Sequence, residues 1–176
     1  NGSYNIGTIA LEGYDLNGDG FIIGKGNDWT FIDWSDLDKD GAVCAEQMLW
    51  IAANRAMAKL SVVVGEDGGM YSNTEKIMIE KVNKFYWNSE KGAYIDCYES
   101  GKNHVTRHAN IFAVMYDIAT PEQRESIIKN VLLNDSITKI TTPYFEGYEL
   151  DVMGKTDNFA YIENMINSYW NGMLED

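Results

Sequence analysis

Three segments of the chain combine aromatic, acidic and polar side chains at the start of an apolar stretch. They are Asn27 to Gln47, Thr106 to Thr120 and Thr141 to Asp151. The first segment carries three large aromatic residues among three aspartates within nine residues: Asp28, Trp29, Phe31, Asp33, Trp34 and Asp36. Large aromatic rings flanked by carboxylates do not all fit in one core, so stability alone does not explain this pattern. Aromatic faces beside hydroxyl-binding carboxylates favour a surface that contacts carbohydrate.

A second chemistry is indicated by two acidic loops. Asp15 to Gly20 and Asp36 to Gly41 both fit D-x-[DN]-x-[DN]-G, the first half of an EF-hand calcium loop. The twelfth position should supply a bidentate Glu, but it is Gly26 in the first loop and Gln47 in the second. An Asx-rich turn, a weak calcium site of another geometry and a dockerin-like calcium module therefore remain as alternatives. No other cofactor is indicated.

Composition excludes several classes of function. The 176 residues are 45% apolar, which is enough for a real core. The net charge is −13, with 14 Lys and Arg against 27 Asp and Glu, so we expect no nucleic-acid partner. The longest apolar stretch is interrupted by charged and amide side chains, so we expect no membrane span. The two cysteines, Cys44 and Cys97, are far apart and indicate neither a disulfide framework nor a zinc site.

The elements that position the three segments are predicted to be helices. Ala42 to Val64 is apolar on most of its circumference, which is typical of an inner helix with several neighbours. Ser72 to Glu75 has the S-x-x-E spacing of a capping box and predicts the start of a second helix that ends near Trp87. Asn88 to Lys102 favours a short hairpin, since it has a Gly turn and alternating Tyr and Ile.

Four further helices follow the hairpin. Proline at the first helical position marks the starts at Pro121 and Pro143, where its missing N–H costs nothing. The predicted spans are 106–119, 121–133, a helix from 143 to about 154, and 158–174. All-round apolar helices alternate with one-faced helices, which indicates antiparallel helical hairpins packed side by side, as in a helical toroid or a solenoid. In such a toroid the loops before the inner helices line a crater, and those loops are the three segments named first.

The residues of these segments resemble a known family. Residues 31–53 (FIDWSDLDKDGAVCAEQMLWIAA), 106–119 (TRHANIFAVMYDIA) and 140–155 (ITTPYFEGYELDVMGK) look like the catalytic six-hairpin domain of bacterial α-L-rhamnosidases, glycoside hydrolase family 78. Residues 88–96 (NSEKGAYID) add a further similar stretch. The resemblance implies an all-α fold, part of an (α/α)6 toroid with about three antiparallel hairpins. It implies one domain fragment over 1–176, with a loop-rich segment over 1–41 and hairpins over 42–176.

The resemblance also implies a reaction and a set of site residues. The family's general acid lies in an Asp- and Arg-rich loop and its general base in a G-A-T-T-x-W-E segment, and neither motif occurs in these 176 residues. We therefore expect no catalytic carboxylate in the chain, no hydrolysis by the chain alone, and a parent enzyme of bacterial cytoplasm or periplasm. What remains is a surface for a rhamnose-containing oligosaccharide or glycoside, with these candidate contacts: Trp34, Trp29, Asp33, Arg107, His108 and Tyr144.

Two hypotheses from other classes stay open beside this one. The first is the calcium-dependent binding module, and the second is a helical scaffold without chemistry. Half a toroid would leave inner helices without neighbours on two sides, so the enzyme-fragment hypothesis also predicts self-association or marginal stability.

Overall fold

The computed structural model describes residues 20–23 and 31–174. Six helices dominate the described chain, with one short hairpin between the second and third. The helices are α1 (Cys44–Val63), α2 (Gly69–Phe85), α3 (Arg107–Met115), α4 (Pro121–Ile127), α5 (Pro143–Lys155) and α6 (Phe159–Met165). The strands β1 (Trp87–Asn88) and β2 (Ala93–Tyr94) pair antiparallel, with Trp87 opposite Tyr94. The predicted hairpin and all-α class are confirmed.

The helices form an inner row and an outer row. Helices α1, α3 and α5 pack in sequence against one another, and each packs against the helix that follows it in the chain. The pairs α1 with α2, α3 with α4, and α5 with α6 are thus three antiparallel hairpins. The core lies along the inner row, where α3 is almost wholly buried and α1 buries its first half. The alternation in the sequence therefore reflects two layers of helices.

The inner helices all begin at the same end of the molecule. Asp33, which lies before α1, reaches both His108 in the first turn of α3 and Thr142 at the start of α5. The β-hairpin is fixed at this end by Asn110 of α3, whose side-chain amide pairs with both the N–H and the C=O of Tyr94. We call this end, formed by residues 31–43, 102–106 and 134–142, the rim.

One predicted helix start is wrong. Helix α2 begins at Gly69 rather than near Ser72, so residues 72–75 lie within the helix. The Asp67 carboxylate accepts from the Gly69 N–H at 2.8 Å and supplies the N-terminal acceptor that the capping box was expected to give. Glu75 instead pairs with Arg55 of α1 at 2.6 Å and joins the two helices of the first hairpin.

The outer helices α4 and α6 end in irregular helical turns. α4 continues as a π-helical turn over Ile128–Leu132, and α6 as a π-helical turn over Ile166–Trp170 and a 3-10 turn over Asn171–Leu174. The start of α4 has the full capping box, with Thr120 and Gln123 bonding each other's backbone N–H groups. Within the described part of the chain, no helix combines the length and apolar character needed to cross a membrane.

Candidate functional site

Asp33 joins the mouths of all three inner helices. Its Oδ2 lies 3.0 Å from His108 Nε2, and its Oδ1 accepts from Thr142 Oγ1 at 2.7 Å. The side chain is buried, with both oxygens engaged. Thr142 also caps α5, since its hydroxyl accepts from the Phe145 N–H. The Asp33 carboxylate thus fixes the relative position of three loops that are distant in sequence.

A chain of hydrogen bonds extends from Asp33 along the rim. His108 Nδ1 lies 3.1 Å from Thr106 Oγ1, and Thr106 Oγ1 donates to Asp96 Oδ1 at 2.7 Å. Asp96 also accepts from the Thr106 N–H, and its Oδ2 lies 2.7 Å from His104 Nδ1. Both Asp33 and Asp96 are buried, so the network is shielded from water and its bonds are strong.

Two aromatic side chains face solvent, one in the rim and one next to it in the first turn of α5. Trp34 is 70% exposed and Tyr144 is 66% exposed, although both belong to residue types that bury large areas in cores. Phe31 packs edge-on against Trp34 with ring centroids 5.2 Å apart. The Tyr144 hydroxyl bonds to that of Tyr148, at 2.9 Å. Trp34 follows Asp33 directly and Tyr144 is two residues after Thr142, so the Asp33–Thr142 bond holds their backbones together.

The other candidate residues have different environments. Trp29 lies outside the described residues. Arg107 is 1% exposed, and its guanidinium bonds to the Glu149 carboxylate, the Tyr161 hydroxyl and the Leu132 carbonyl. His108 is also buried, and its ring packs 4.4 Å from the Phe145 ring. The structure thus brings Asp33, His108 and the Trp34 backbone together and places the Arg107 charge between the second and third hairpins.

Burial controls the charge of His108. Removal of the imidazole from water lowers the pKa of His108, and the hydrogen bond and negative charge of Asp33 oppose this effect. A neutral imidazole with its proton on Nε2 donates to Asp33. His108 is therefore suited to holding loops together.

The acidic loop over residues 36–41 is held by protein groups. Lys102 Nζ contacts Asp40 Oδ2 at 2.6 Å and Asp38 Oδ1 at 3.3 Å. Gly41 has a φ of 152°, and a Cβ there would lie 1.9 Å from a Glu99 carboxylate oxygen, so close packing requires this glycine. The Gln47 amide pairs with both backbone groups of Ile22. In residues 20–23 and 31–174, no three His, Cys, Asp or Glu side chains converge as a metal site.

Sequence reasoning missed two polar features of the site. The first is the Asp96–His104 pair, because neither residue belongs to the predicted helix mouths. The second is Glu146 of α5, which is buried and whose Oε2 has no hydrogen-bond partner among the described residues. Burial, followed by the charge of Glu149, raises the pKa of Glu146 to about 7. An acidic residue in the first turn of a helix is ordinary, so its sequence position gave no signal.

Comparison with solved structures defines the class of fold. The chain superimposes on the GH78 family rhamnosidase of Bacillus sp. GL1 with a TM-score of 0.81 and 19% identity, covering 96% of this chain and 18% of that one. A rhamnosidase from Klebsiella oxytoca with rhamnose bound gives a TM-score of 0.76 and 21% identity, covering 95% of this chain and 31% of that one. The chain therefore has an all-α fold that resembles a helical region of these two enzymes, and it spans less than a third of either one.

A family model matches the sequence itself. The model described as amylo-alpha-1,6-glucosidase covers residues 12–144, which is more than half of the chain. The chain belongs to this amylo-alpha-1,6-glucosidase family. None of the curated protein sequences compared with the chain matches it.

Proposed function

We propose that this chain is part of an inverting glycoside hydrolase that releases L-rhamnose from α-L-rhamnosides. The fold resembles that of glycoside hydrolases, and the proposal adds a specific reaction to that resemblance. Two structural relatives are rhamnosidases, and one of them holds rhamnose. Three segments resemble the rhamnosidase family, 31–53, 106–119 and 140–155, and each includes part of the rim and the start of an inner helix.

The observation that carries the proposal is the exposed aromatic pair at the rim. Trp34 and Tyr144 face solvent beside a buried carboxylate that links their loops. Exposed rings on a rigid support suit stacking on the apolar face of a deoxy sugar, because the rings are ordered before the ligand binds. Trp34 and Tyr144, with Trp29 as a further candidate, are assigned to contact the sugar.

The remaining candidates are assigned to positioning. Asp33 and His108 are buried and bonded to each other at 3.0 Å, so they hold the loop of Trp34 against α3 and α5. Arg107 holds α3 to Glu149 of α5 and to the carbonyl of Leu132. In this proposal these three residues fix the contact surface and do not themselves bind sugar hydroxyls.

The catalytic carboxylates are proposed to lie outside these 176 residues. An inverting enzyme needs an acid and a base carboxyl about 6.5–9.5 Å apart across the scissile bond. Neither family motif for these groups occurs in the sequence. The purified chain should therefore not hydrolyse an aryl α-L-rhamnoside above background. If the purified chain hydrolyses this substrate and a substitution within the chain abolishes the hydrolysis, this part of the proposal is wrong.

Binding by the chain tests the aromatic surface directly. L-Rhamnose should shift the indole N–H signal of Trp34 in an NMR titration of the labelled chain. Trp34→Ala should raise the dissociation constant by at least about tenfold, or about 1.4 kcal/mol. Phe159→Ala is a matched control, because Phe159 is an exposed aromatic residue at the start of α6, opposite the rim. If Trp34→Ala folds and binds as the wild type does, the contact assignment is wrong.

The family match favours a second candidate function. The family's description names an α-1,6-glucosidase, so an α-1,6-linked glucoside is the alternative substrate class. The same titration with isomaltose separates the two candidates. Shifts at Trp34 with L-rhamnose and none with isomaltose support the rhamnoside, and the reverse pattern supports the glucoside.

A further inference from the structure

Two polar cavities lie along the rim and share His104 in their linings. Their volumes are about 480 and 490 Å³. One lies against the loop over residues 36–40, and the other lies between the β-hairpin turn and the loop over residues 134–138. Each has the volume of a small-molecule site. We call the two cavities together the rim groove.

His104 presents one ring nitrogen for a ligand. Its Nδ1 lies 2.7 Å from Asp96 Oδ2, and a carboxylate has no proton to donate, so Nδ1 carries the proton. Asp96 is buried and also accepts from Thr106 and from the Asp38 N–H, which fixes the carboxylate and with it the imidazole. The His104 side chain is 44% exposed, and its Nε2 has no hydrogen-bond partner among the described residues.

The charges around the groove favour a neutral ligand. Lys102 is paired with Asp38 and Asp40, and Lys91 Nζ donates to the Asn103 carbonyl at 2.6 Å. The other cavity has amide and hydroxyl groups as well as apolar surface from Val105 and Ile137. An ionic ligand would have to displace the Lys102 ion pairs, whereas a ligand with many hydroxyl groups can use both donors and acceptors.

One cavity of the groove lies close to Trp34 along the chain, since Asp36, which lines it, is two residues after Trp34. The hydrogen bonds from Asp33 through His108, Thr106 and Asp96 end at His104. We propose that His104 Nε2 contacts a second, neutral sugar unit in the rim groove, so that the chain binds an oligosaccharide with one unit at Trp34 and the next at His104. The Trp34 half rests on the proposed function, and the His104 half rests on the groove.

The chain contains two histidines, which makes the test direct. In an NMR titration of the labelled 176-residue chain with an α-linked rhamnose disaccharide, the His104 ring signals should shift together with the Trp34 indole signal. The His108 ring signals serve as an internal reference, since that ring is buried. With L-rhamnose alone, Trp34 should shift and His104 should not.

Substitution at His104 completes the test. His104→Gln should raise the dissociation constant of the disaccharide by at least about tenfold while changing that of L-rhamnose less than about twofold. Lys76→Gln, at an exposed position of α2, is the matched control and should change neither. If His104→Gln does not fold, the ring shifts of the wild type still decide the result.

The possible outcomes separate this inference from the proposed function. Shifts at Trp34 without shifts at His104 overturn the second sugar unit and leave the proposed function standing. Shifts at His104 without shifts at Trp34 support the rim groove and overturn the assignment of Trp34. If His104→Gln binds both the disaccharide and L-rhamnose as tightly as the wild type does, the contact with Nε2 is overturned.

Discussion

Glu146 is a carboxylic acid that the fold keeps away from water. Its side chain is buried in the first turn of α5, close to the negative charge of Glu149 and to the positive charges of Arg107 and Lys139. Loss of hydration is the largest influence, and it raises the pKa of Glu146 to about 7. The folded chain therefore holds a proton on Glu146 at pH values where the unfolded chain has released it.

This proton makes stability depend on pH. The pKa of Glu146 in the folded chain is above the ordinary value of 4.5. The contribution of this proton to the free energy of unfolding is therefore fully present below about pH 4.5 and is lost as pH rises through about 7. Glu146→Gln removes the titration, so its free energy of unfolding should fall less than that of the wild type between pH 5 and pH 8. The difference should be about 3 kcal/mol, since a tenfold change in proton affinity corresponds to about 1.4 kcal/mol.

Urea unfolding of both chains at each pH measures this difference. The lowered pKa of His108 has the opposite effect on stability. A histidine whose pKa is lowered by folding destabilises the folded chain as pH falls below the ordinary value of 6.5. That contribution is common to both chains and cancels in the comparison. Equal pH dependence of the two chains would mean that Glu146 does not hold a proton in the folded state.

Arg107 and Glu149 form a buried ion pair, and we predict that its role is structural. Arg107→Met should lower the free energy of unfolding by ~3–5 kcal/mol, because it leaves the Glu149 carboxylate buried without its charge partner. Arg107→Met with Glu149→Leu should recover most of this loss, since neither charge is then left alone. Chemical denaturation of the three chains checks the prediction. A single variant that is stable but binds L-rhamnose weakly would instead make Arg107 a sugar contact.

Among the elements, local signals were enough to predict the helices but not their contacts. Pro121 and Pro143 marked the starts of α4 and α5, and the period of apolar residues distinguished inner from outer helices. The predicted start of α2 was wrong because Asp67, two residues before Gly69, accepts from the Gly69 N–H and so favours an earlier start. The capping-box spacing at Ser72 and the Asp67 acceptor lie within a few residues of each other. A competing acceptor nearby can therefore shift the start of a helix while the helix itself still forms.

The contacts that build the rim have no local signal. Asp33 is 75 residues from His108 and 109 residues from Thr142, and Arg107 is 42 residues from Glu149. Sequence alone therefore indicated which loops meet, through the order of inner and outer helices, but not which side chains are buried when they meet. Trp34 and Tyr144 were selected from residue type, and their exposure required the structure.

The loop over residues 36–41 gives a prediction about calcium. Lys102 already pairs with Asp38 and Asp40, and the Gln47 amide is bonded to the backbone of Ile22. A chelator should therefore shift thermal unfolding little, and added calcium should stabilise the chain by well under the ~2.7 kcal/mol of a ligand at a hundredfold its dissociation constant. Differential scanning calorimetry in calcium and in chelator measures both. A collapse of helical signal in chelator would favour the calcium module.

At the scale of the whole molecule, the three hairpins form an arc that leaves apolar side chains exposed. Leu60, Val62, Val63 and Val64 at the end of α1 are at least 54% exposed, and Met70 at the start of α2 is 64% exposed. These positions are close in sequence across one helix connection, so they form a patch of the kind that marks an interaction surface.

We predict that this patch drives self-association of the chain. The net charge of −13 repels a second copy at low salt, whereas the apolar patch attracts it at all salt concentrations. Association should therefore strengthen as salt is added, which is the reverse of what an ion-pair interface would show. Light scattering over a wide range of protein and salt concentrations measures the mass.

Two charge substitutions locate the surface. Val63→Glu should weaken association, because it places a charge within the patch, while Lys76→Glu adds negative charge at an exposed position of α2 and should change association much less. Equal effects of the two substitutions would indicate general charge repulsion and not a local contact. A monodisperse, highly stable monomer under all conditions would mean that the arc is stable with its edges open, and the prediction of self-association would be wrong.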